Sequence, residues 1–195
     1  MIHHGVSFVK DLEPWGGGEP VNRTRADAIS LRSVETDDEA LLLRVYAGTR
    51  EPERRVVYWE DEEWAAFVRV QYEAQRSHYE INFPDAEHQV VLRNGAPIGR
   101  IWVARAADEI RLLDIAILPE HRGCGIGTHL IRGLQTDARA AGVPLRHSVE
   151  HDNDGARRLY ERLGFVAVET QGLHTLMEWS PSEDGRAPND GDPLR

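Results

Sequence analysis

The residues with the clearest chemical potential lie in the segment ILPEHRGCGIGT, residues 117–128. Gly123, Gly125 and Gly127 stand at alternate positions directly after Arg122. Because glycine has no Cβ, a ligand can approach the backbone of such a segment closely. A loop that opens a helix also presents free N–H groups at the positive end of the helix dipole. The pattern predicts an anion site, most often a phosphate site, to which the arginine adds a charged donor.

The segments on either side of the glycine loop fit this prediction. EIRLLDIAIL, residues 109–118, is typical of a strand, and THLIRGLQTDARAAG, residues 128–142, is typical of a helix. Thr128 falls in the first helical turn, where its hydroxyl can reach the same anion. The loop lacks the lysine of a Walker A loop, and its third glycine comes too early for a G-x-G-x-x-G fingerprint. A phosphate site of another class and a glycine-rich turn without a ligand both remain open.

Composition narrows the classes of function. The chain has 195 residues, 41% of them hydrophobic, which suits one domain with tails. A formal net charge of −10 disfavours a general nucleic-acid binder. The single cysteine excludes an intrachain disulfide and a Cys-based zinc site, and the nine histidines show no ligand spacing, so we expect no metal. We find neither a signal peptide nor a membrane-spanning run, and we expect a cytoplasmic protein that binds no membrane.

The order of helices and strands expected from the sequence predicts one mixed α/β domain, residues 28–180, between two tails. Residues 1–27 contain glycine and proline without periodicity, and we expect a loosely ordered arm. Residues 181–195 are polar, and we expect a disordered tail. The domain begins with the strand AISLRSV and the helix TDDEALLLRVYAG, which Thr36 and Glu39 would cap as a capping box.

The remaining elements follow from hydrophobic periodicity. RRVVYW is a short extended or helical piece, and DEEWAAFVRVQYEAQRSHYEIN is a long helix. EHQVVL and IGRIWVAR form a hairpin around Asn94-Gly95. After the strand, loop and helix described above come the strand PLRHSVE, the helix DNDGARRLYERLG, and the strands FVAVE and HTLMEW.

A second motif, N-x-x-A-x-x-x-Y-x-x-x-G-F, occupies residues 153–165. It follows the motif R-x-x-G-x-G of residues 122–127 after one helix and one strand. Together the two motifs resemble those of the GNAT superfamily of N-acetyltransferases. The resemblance extends over residues 29–179 and depends mainly on residues 91–179. It implies the GNAT acyl-CoA N-acyltransferase fold, in which helices flank a central, mostly antiparallel, splayed sheet.

The resemblance implies acetyl-CoA as the co-substrate. In similar proteins the strand before the loop splays from its neighbour, and its free amides hold the pantetheine and the thioester carbonyl. Here that role would fall on Ile115, Ala116 and Ile117. The pyrophosphate would lie on Arg122, Gly123, Cys124, Gly125, Ile126, Gly127 and Thr128. Asn153 and Ala156 would contact the pantetheine arm, although Asn153 also fits a plain N-cap. We interpret Cys124 as a small loop residue, since no His-Asp pattern adjoins it.

The resemblance also implies a general acid. Tyr160 matches the position that often protonates the leaving thiolate in similar proteins; the alternative is that it only packs in its helix. No general base stands out, because Arg111 occupies the strand position that often carries a glutamate. Asp114 should face opposite to Arg111 unless a bulge intervenes. The base candidates are Asp114, Glu109 and Glu150, with His147 and His151 nearby, and a water chain is a further alternative.

The acceptor site in similar proteins is built from the first two helices and the late loops. The candidates here are Trp64, Gln71, Gln75 and His78, with Tyr58, Trp59 and Tyr79 nearby. Gln71, Gln75 and His78 share a helical stripe, which fits either a pocket or a solvated face. The excess of acidic over basic residues favours a cationic or amine acceptor, because the negative field of the protein attracts cations.

The function expected from this resemblance is transfer of acetyl from acetyl-CoA to a primary amine of a small molecule or peptide, by direct attack in a ternary complex. The alternative is a catalytically weak acyl-CoA-binding sensor or partner module, which the arginine at position 111 favours. Dimers are common among similar proteins, so a homodimer is a further expectation.

Overall fold

A computed structural model describes residues 28–181 of the chain. The predicted arm, residues 1–27, and nearly all of the predicted tail, residues 181–195, lie outside the described residues. Between residues 28 and 181, no helix combines the length and apolar character needed to cross a membrane. Within the same range, no three His, Cys, Asp or Glu side chains are grouped so as to hold a metal ion.

Strands and helices follow one another in the predicted order. The helices are α1 (Glu39–Thr49), α2 (Glu51–Val56), α3 (Asp61–Asn82), α4 (Ile126–Ala141) and α5 (Asp154–Arg162). The strands are β1 (Ile29–Ser33), β2 (Glu87–Arg93), β3 (Ala96–Arg105), β4 (Ile110–Ile117), β5 (Leu145–Glu150), β6 (Val166–Gln171) and β7 (His174–Trp179). The segment RRVVYW, left open between helix and extended chain, is helical in its first half, where α2 ends.

The cap before α1 differs from the prediction. The expected capping box joined Thr36 and Glu39, but a short 3-10 turn precedes α1, and the reciprocal bonds join Glu35 and Asp38. Asp38 takes this role because its carboxylate accepts both the Glu35 N–H at 2.8 Å and the Arg32 guanidinium at 2.6 Å. The hydrogen bond from Arg32 is the main reason that the pKa of Asp38 falls to about 2.

The seven-stranded sheet has the order β1-β2-β3-β4-β5-β7-β6, and only β4 and β5 run parallel. Their registered pairs end at Leu112 and His147, although β4 continues to Ile117 and β5 to Glu150. Beyond that pair the two strands separate, and we call this point the fork. The predicted splayed, mostly antiparallel sheet with flanking helices is confirmed.

Two hydrophobic layers cover the sheet. On one face, α4 and α5 pack on buried strand residues such as Leu112 and Met177, with Ile131 and Tyr160 among the helix residues. On the other face, α1 and α3 form a separate cluster of Leu42, Tyr46, Trp64, Val68 and Tyr72. The fork therefore lies between two packed layers, which fix the strands on both of its sides.

A bulge in β4 changes which side chains share a face. The register with β3 shifts between Trp102 and Val103, and Leu113 is the extra residue on β4. Because paired residues lie on the same face of an antiparallel ladder, Arg111 and Asp114 point to the same side of the sheet. In a regular strand these two residues would lie on opposite faces. The sequence prediction placed them so unless a bulge intervenes, and the structure contains that bulge.

Gly99 in β3 allows β4 to pass unusually close. A Cβ at this position would lie 2.4 Å from the carbonyl oxygen of Ala116 and 3.1 Å from the Cα of Ile117. Both atoms belong to the backbone of the strand beside the fork, so that strand would have to move. We expect Gly99→Ala to lower the free energy of unfolding by about 1–3 kcal/mol, visible as a lower Tm in thermal unfolding.

The matched control is Gly133→Ala in the middle of α4, where an added Cβ meets nothing within 4 Å. Alanine is the better helix former, so this variant should be as stable as the wild type or more so. Equal losses of stability in the two variants would contradict the close approach of β3 and β4.

Candidate functional site at the fork

A cavity of about 670 Å³ opens at the fork. The ends of β4 and β5, the glycine loop, the start of α5 and the end of α1 contribute to its wall. The lining includes most of the residues predicted to bind the coenzyme: Ile115, Ile117, Arg122, Gly123, Gly125, Ile126, Gly127, Thr128, Asn153 and Ala156. The fold therefore brings the two sequence motifs to one cavity. We refer to it as the coenzyme cavity.

The glycine loop turns the chain sharply into α4. Gly123 and Gly125 have φ values of 75° and 79°, in the left-handed region that favours glycine. Gly125 is the N-cap residue of α4, and no side chain of the described residues caps this end of the helix. The first N–H groups of α4 are therefore left for an anion in the coenzyme cavity.

Arg122 ties the loop to its surroundings. Its Nε donates to the carbonyl oxygen of Ile117 at 2.7 Å, and its Nη2 donates to that of Gly48 at 3.1 Å. These bonds link the loop to β4 and to α1. Burial lowers the pKa of the guanidinium, which nevertheless stays charged. A guanidinium has five N–H groups, so donors remain for an anion after both bonds are made.

The backbone of β4 offers amides to the cavity. In an antiparallel ladder, alternate residues direct their N–H groups toward the partner strand. The N–H of Leu118 donates to Ile98 in β3 at 2.9 Å, so Ala116, two residues earlier, also points toward β3. The N–H groups of Ile115 and Ile117 point the other way, into the fork.

Two predicted coenzyme residues do not line the cavity. Ala116 is buried and directs its amide to β3, so it contributes no N–H to the fork. Cys124 is exposed, with its thiol 3.6 Å from the carbonyl oxygen of Arg122. We therefore assign neither residue a direct contact with the coenzyme, because neither lines the cavity.

Tyr160 lies at the fork and lines the coenzyme cavity. Only 1% of it is exposed, and its ring packs between His147, 4.7 Å away, and Phe165, 5.2 Å away. Its hydroxyl forms no hydrogen bond with another residue in the range 28–181. Burial raises the pKa of the phenol far above its ordinary value, and the charge of Asp114 adds to this rise. The hydroxyl thus remains a proton donor.

Asp114 is anchored by a buried arginine. Its Oδ2 accepts a hydrogen bond from the Nε of Arg100 at 2.7 Å, and the Arg100 side chain is only 1% exposed. The guanidinium also lies over the rings of Tyr46 and Tyr72, at 5.4 and 5.1 Å. Asp114 lines the coenzyme cavity, and its Oδ1 is not bonded to any side chain in the described range.

The other two base candidates are placed differently. Glu150 lines the coenzyme cavity with half of its side chain exposed, and its Oε1 lies 3.8 Å from Nε2 of His174. Glu109 does not line the cavity; Arg111 and Arg146 hold its carboxylate at 2.8 and 2.7 Å. Burial alone would raise the pKa of Glu109, but these hydrogen bonds outweigh it and lower the pKa. We therefore withdraw Glu109 as a base.

A second cavity, of about 540 Å³, adjoins the first between α3 and the β5-β7-β6 part of the sheet. Gln75, Tyr79, Leu113, Ser148 and His174 line both cavities, so the two spaces meet at the fork. Hydrogen bonds hold the side chains of two of these shared residues in place. Gln75 accepts from Arg100 Nη2 at 2.6 Å, and Tyr79 donates to the carbonyl of Leu113 at 3.0 Å. We call this space the second cavity.

The predicted acceptor residues divide between the second cavity and other parts of the molecule. Gln75 and His78 line the second cavity. Trp64 is buried in the α1–α3 cluster and lines neither cavity, and Gln71 lies on the exposed face of α3. Of the helical stripe Gln71, Gln75 and His78, the last two residues therefore line the second cavity, and Gln71 does not.

Sequence reasoning missed Arg100 and His174. A charged residue in the middle of the apolar strand IGRIWVAR is a usable signal, because a buried charge needs partners. No local pattern marks His174, which reaches Glu150 only through the pairing of β5 with β7.

Comparison with known proteins agrees with this arrangement. A sequence profile described as the acetyltransferase (GNAT) family matches residues 28–165. Mycothiol acetyltransferase from Nocardiopsis dassonvillei is 32% identical over 99 residues, covering 50% of this chain and 26% of that protein. Ribosomal protein bS18-alanine N-acetyltransferase from Haemophilus influenzae is 34% identical over 79 residues, covering 40% and 54%. The chain thus matches about half or less of the length of these relatives.

Solved structures show the same fold. PaiA N-acetyltransferase from Thermoplasma acidophilum, in complex with coenzyme A, superimposes with a TM-score of 0.60 at 20% identity, covering 79% of this chain and 99% of that one. The yncA protein from Salmonella typhimurium, with its cofactor acetyl-CoA, gives 0.51 at 21% identity, covering 84% and 99%. The family profile covers well over half of this chain, including the glycine loop, the fork and Tyr160. The chain therefore belongs to the GNAT family of acetyltransferases.

Proposed function

We propose that this protein transfers an acetyl group from acetyl-CoA to a primary amine of a small molecule or a peptide. The observation that carries the proposal is the coenzyme cavity, where the glycine loop, the free amides of Ile115 and Ile117, and Tyr160 meet. Each of these three features suits one part of acetyl-CoA. The names of the relatives, and the coenzyme in the similar structures, support the same reaction.

The loop would hold the pyrophosphate of the coenzyme. Its N–H groups at the start of α4, together with Arg122, offer positive donors to an anion. Asn153 accepts the N–H of Ala156 at 3.0 Å as the N-cap of α5, and both residues line the cavity. The pantetheine arm would pass along this wall toward the fork.

The chemistry would take place at the fork. A neutral amine attacks the thioester carbon, and the carbonyl oxygen becomes negative. The N–H groups of Ile115 and Ile117 are fixed donors that can stabilise this oxygen. The C–S bond then breaks, the amide is released, and Tyr160 donates its proton to the leaving thiolate. A thiol has an ordinary pKa near 8.5, so the thiolate benefits from an acid at neutral pH.

We assign to Asp114 the removal of the proton from the amine, directly or through one water. It precedes Ile115 on the strand that carries the amides, and Arg100 fixes one of its two oxygens. The charge of Asp114 tends to raise the pKa of both Tyr160 and His147, which supports this assignment. Glu150 is the competing candidate on the opposite strand.

Asp114→Asn is expected to lower kcat about 100-fold, the size typical of general acid–base catalysis, with acetyl-CoA affinity unchanged within about twofold. Steady-state kinetics and calorimetric binding measure the two effects. Asp137→Asn is the matched control, because Asp137 also pairs with an arginine, Arg105 at 2.9 Å, but lies outside both cavities. A comparable loss in Glu150→Gln, with a normal rate in Asp114→Asn, would transfer the role to Glu150. Thermal unfolding must accompany the kinetics, because Arg100 loses its charged partner.

The test of the proposed function is formation of coenzyme A from acetyl-CoA in the presence of pooled amines. The pools are polyamines, aminoglycosides, amino acids and short peptides, each compared with a reaction without amine. We expect amine-dependent formation with at least one pool.

The second candidate function is an acyl-CoA sensor or partner module. It is favoured by Arg111, which lies where similar proteins often carry a glutamate and which lines the second cavity. Acetyl-CoA binding without turnover on any pool would favour this alternative over the transferase.

A further inference from the structure

His147 occupies the last registered position before β4 and β5 separate. Its Nδ1 lies 2.7 Å from the carbonyl oxygen of Leu112, its partner across the two strands. A carbonyl oxygen only accepts hydrogen bonds, so Nδ1 carries the hydrogen and donates it. The imidazole therefore bonds to the backbone at the point where the ladder stops, and this bond fixes the orientation of the ring.

The ring of His147 also forms one side of the site of Tyr160. The two ring centroids are 4.7 Å apart at an angle of 40°, and the ring of Phe165 also contacts the phenol, at 5.2 Å and 71°. His147 pairs with Met177 on β7, which is 1% exposed, so its face of the sheet is the one covered by α4 and α5. Burial lowers the pKa of His147, which keeps the imidazole neutral at neutral pH.

We infer that His147 is a positioning residue for Tyr160: its ring fixes the phenol at the fork, and its hydrogen bond to Leu112 fixes the ring. This inference rests on the proposed function, in which Tyr160 is the acid. A proton donor must lie within hydrogen-bond reach of the sulfur. No residue from 28 to 181 holds the Tyr160 hydroxyl itself, so the position of the donor depends on the contacts of its ring.

Two substitutions separate the two parts of this role. His147→Phe keeps an aromatic ring against Tyr160 but loses the bond to Leu112. His147→Asn keeps a donor for the Leu112 carbonyl but loses the ring contact. His151→Asn is the control, since His151 is exposed and lines neither cavity.

The decisive experiment is a double-mutant cycle with Tyr160→Phe. We expect His147→Asn to lower kcat about 10-fold in the wild-type background, since small displacements of catalytic groups are costly. In the Tyr160→Phe background the same substitution should change kcat less than about twofold, because coupled residues are not additive. Acetyl-CoA affinity should stay within about twofold throughout, and His147→Phe should fall between His147→Asn and the wild type.

Equal losses in the two backgrounds would show that His147 acts independently of Tyr160 and would overturn the inference. A wild-type rate in His147→Asn, or in Tyr160→Phe alone, would overturn it as well. A spectroscopic measurement separates this failure from failure of the proposed function. In protein with 13C-labelled tyrosine, the Cζ resonance of Tyr160, assigned by its loss in Tyr160→Phe, should shift in His147→Asn and not in His151→Asn. An unchanged resonance in both variants would overturn the inference whether or not any amine is acetylated.

Discussion

Tyr160→Phe is expected to lower kcat by about 100-fold or more and to leave the affinity for acetyl-CoA within about twofold of the wild type. The variant retains the ring that packs between His147 and Phe165, and it loses only the hydroxyl that lines the coenzyme cavity. Because that hydroxyl bonds to no other residue between 28 and 181, its removal leaves no protein group without a partner. The fold and the coenzyme site should therefore be preserved, while the leaving thiolate loses its acid.

Steady-state kinetics gives kcat, and calorimetric titration with acetyl-CoA gives the affinity. Tyr58→Phe is the control, because Tyr58 is 85% exposed and lines neither cavity. A wild-type rate in Tyr160→Phe would remove the acid role and leave Tyr160 as a packing residue.

Gly125→Val is expected to weaken acetyl-CoA binding by about 100-fold or more, while the protein still folds. Gly125 has a φ of 79°, which a β-branched residue adopts only with strain, and a left-handed L-residue costs roughly 1–2 kcal/mol. An added Cβ meets nothing within 4 Å, so no protein atom opposes this Cβ. The valine would occupy the anion site at the start of α4 and would distort the loop that forms it.

The matched control is Gly142→Val at the other end of the same helix. Gly142 also has a positive φ, 69°, and an added Cβ there also meets nothing within 4 Å, but it lines neither cavity. The two variants share the backbone strain, so their Tm values should fall by similar amounts. Normal acetyl-CoA binding by Gly125→Val, or equal losses of binding in both variants, would mean that the coenzyme does not lie on this loop.

The sequence revealed the parts of the site that are local in the chain. The glycine loop and the motif from Asn153 to Phe165 are each continuous, so their spacing shows directly which residues open α4 and which line α5. The splay of β4 followed from the resemblance that these motifs carry. The same resemblance identified residues 115–117 as the part of β4 whose amides would bind the coenzyme. It could not show that the N–H of Ala116 points toward β3.

The remaining features depend on pairing between distant segments. The bulge at Leu113 becomes visible only when β3 and β4 are aligned, and it decides that Asp114 and Arg111 share a face. Glu109 was a reasonable base candidate by its position in the sequence. In the structure it lies outside the coenzyme cavity, and two arginines from different strands form ion pairs with its carboxylate. The helical spacing of Trp64 and its apolar neighbours indicates a buried face of α3. Only the packing of α3 on α1 shows that this face lies in the cluster between the two helices and not in a ligand cavity.

Transfer of labelled acetyl to an amine is the most direct measurement for this protein. Acetyl-CoA carrying a 13C-labelled acetyl group would be incubated with each amine pool and the wild-type protein, and the products would be analysed by mass spectrometry. The proposed function predicts a labelled amide in at least one pool and a much smaller yield with both Tyr160→Phe and Gly125→Val. Absence of labelled amide from every pool, with acetyl-CoA bound by the wild type, would contradict it.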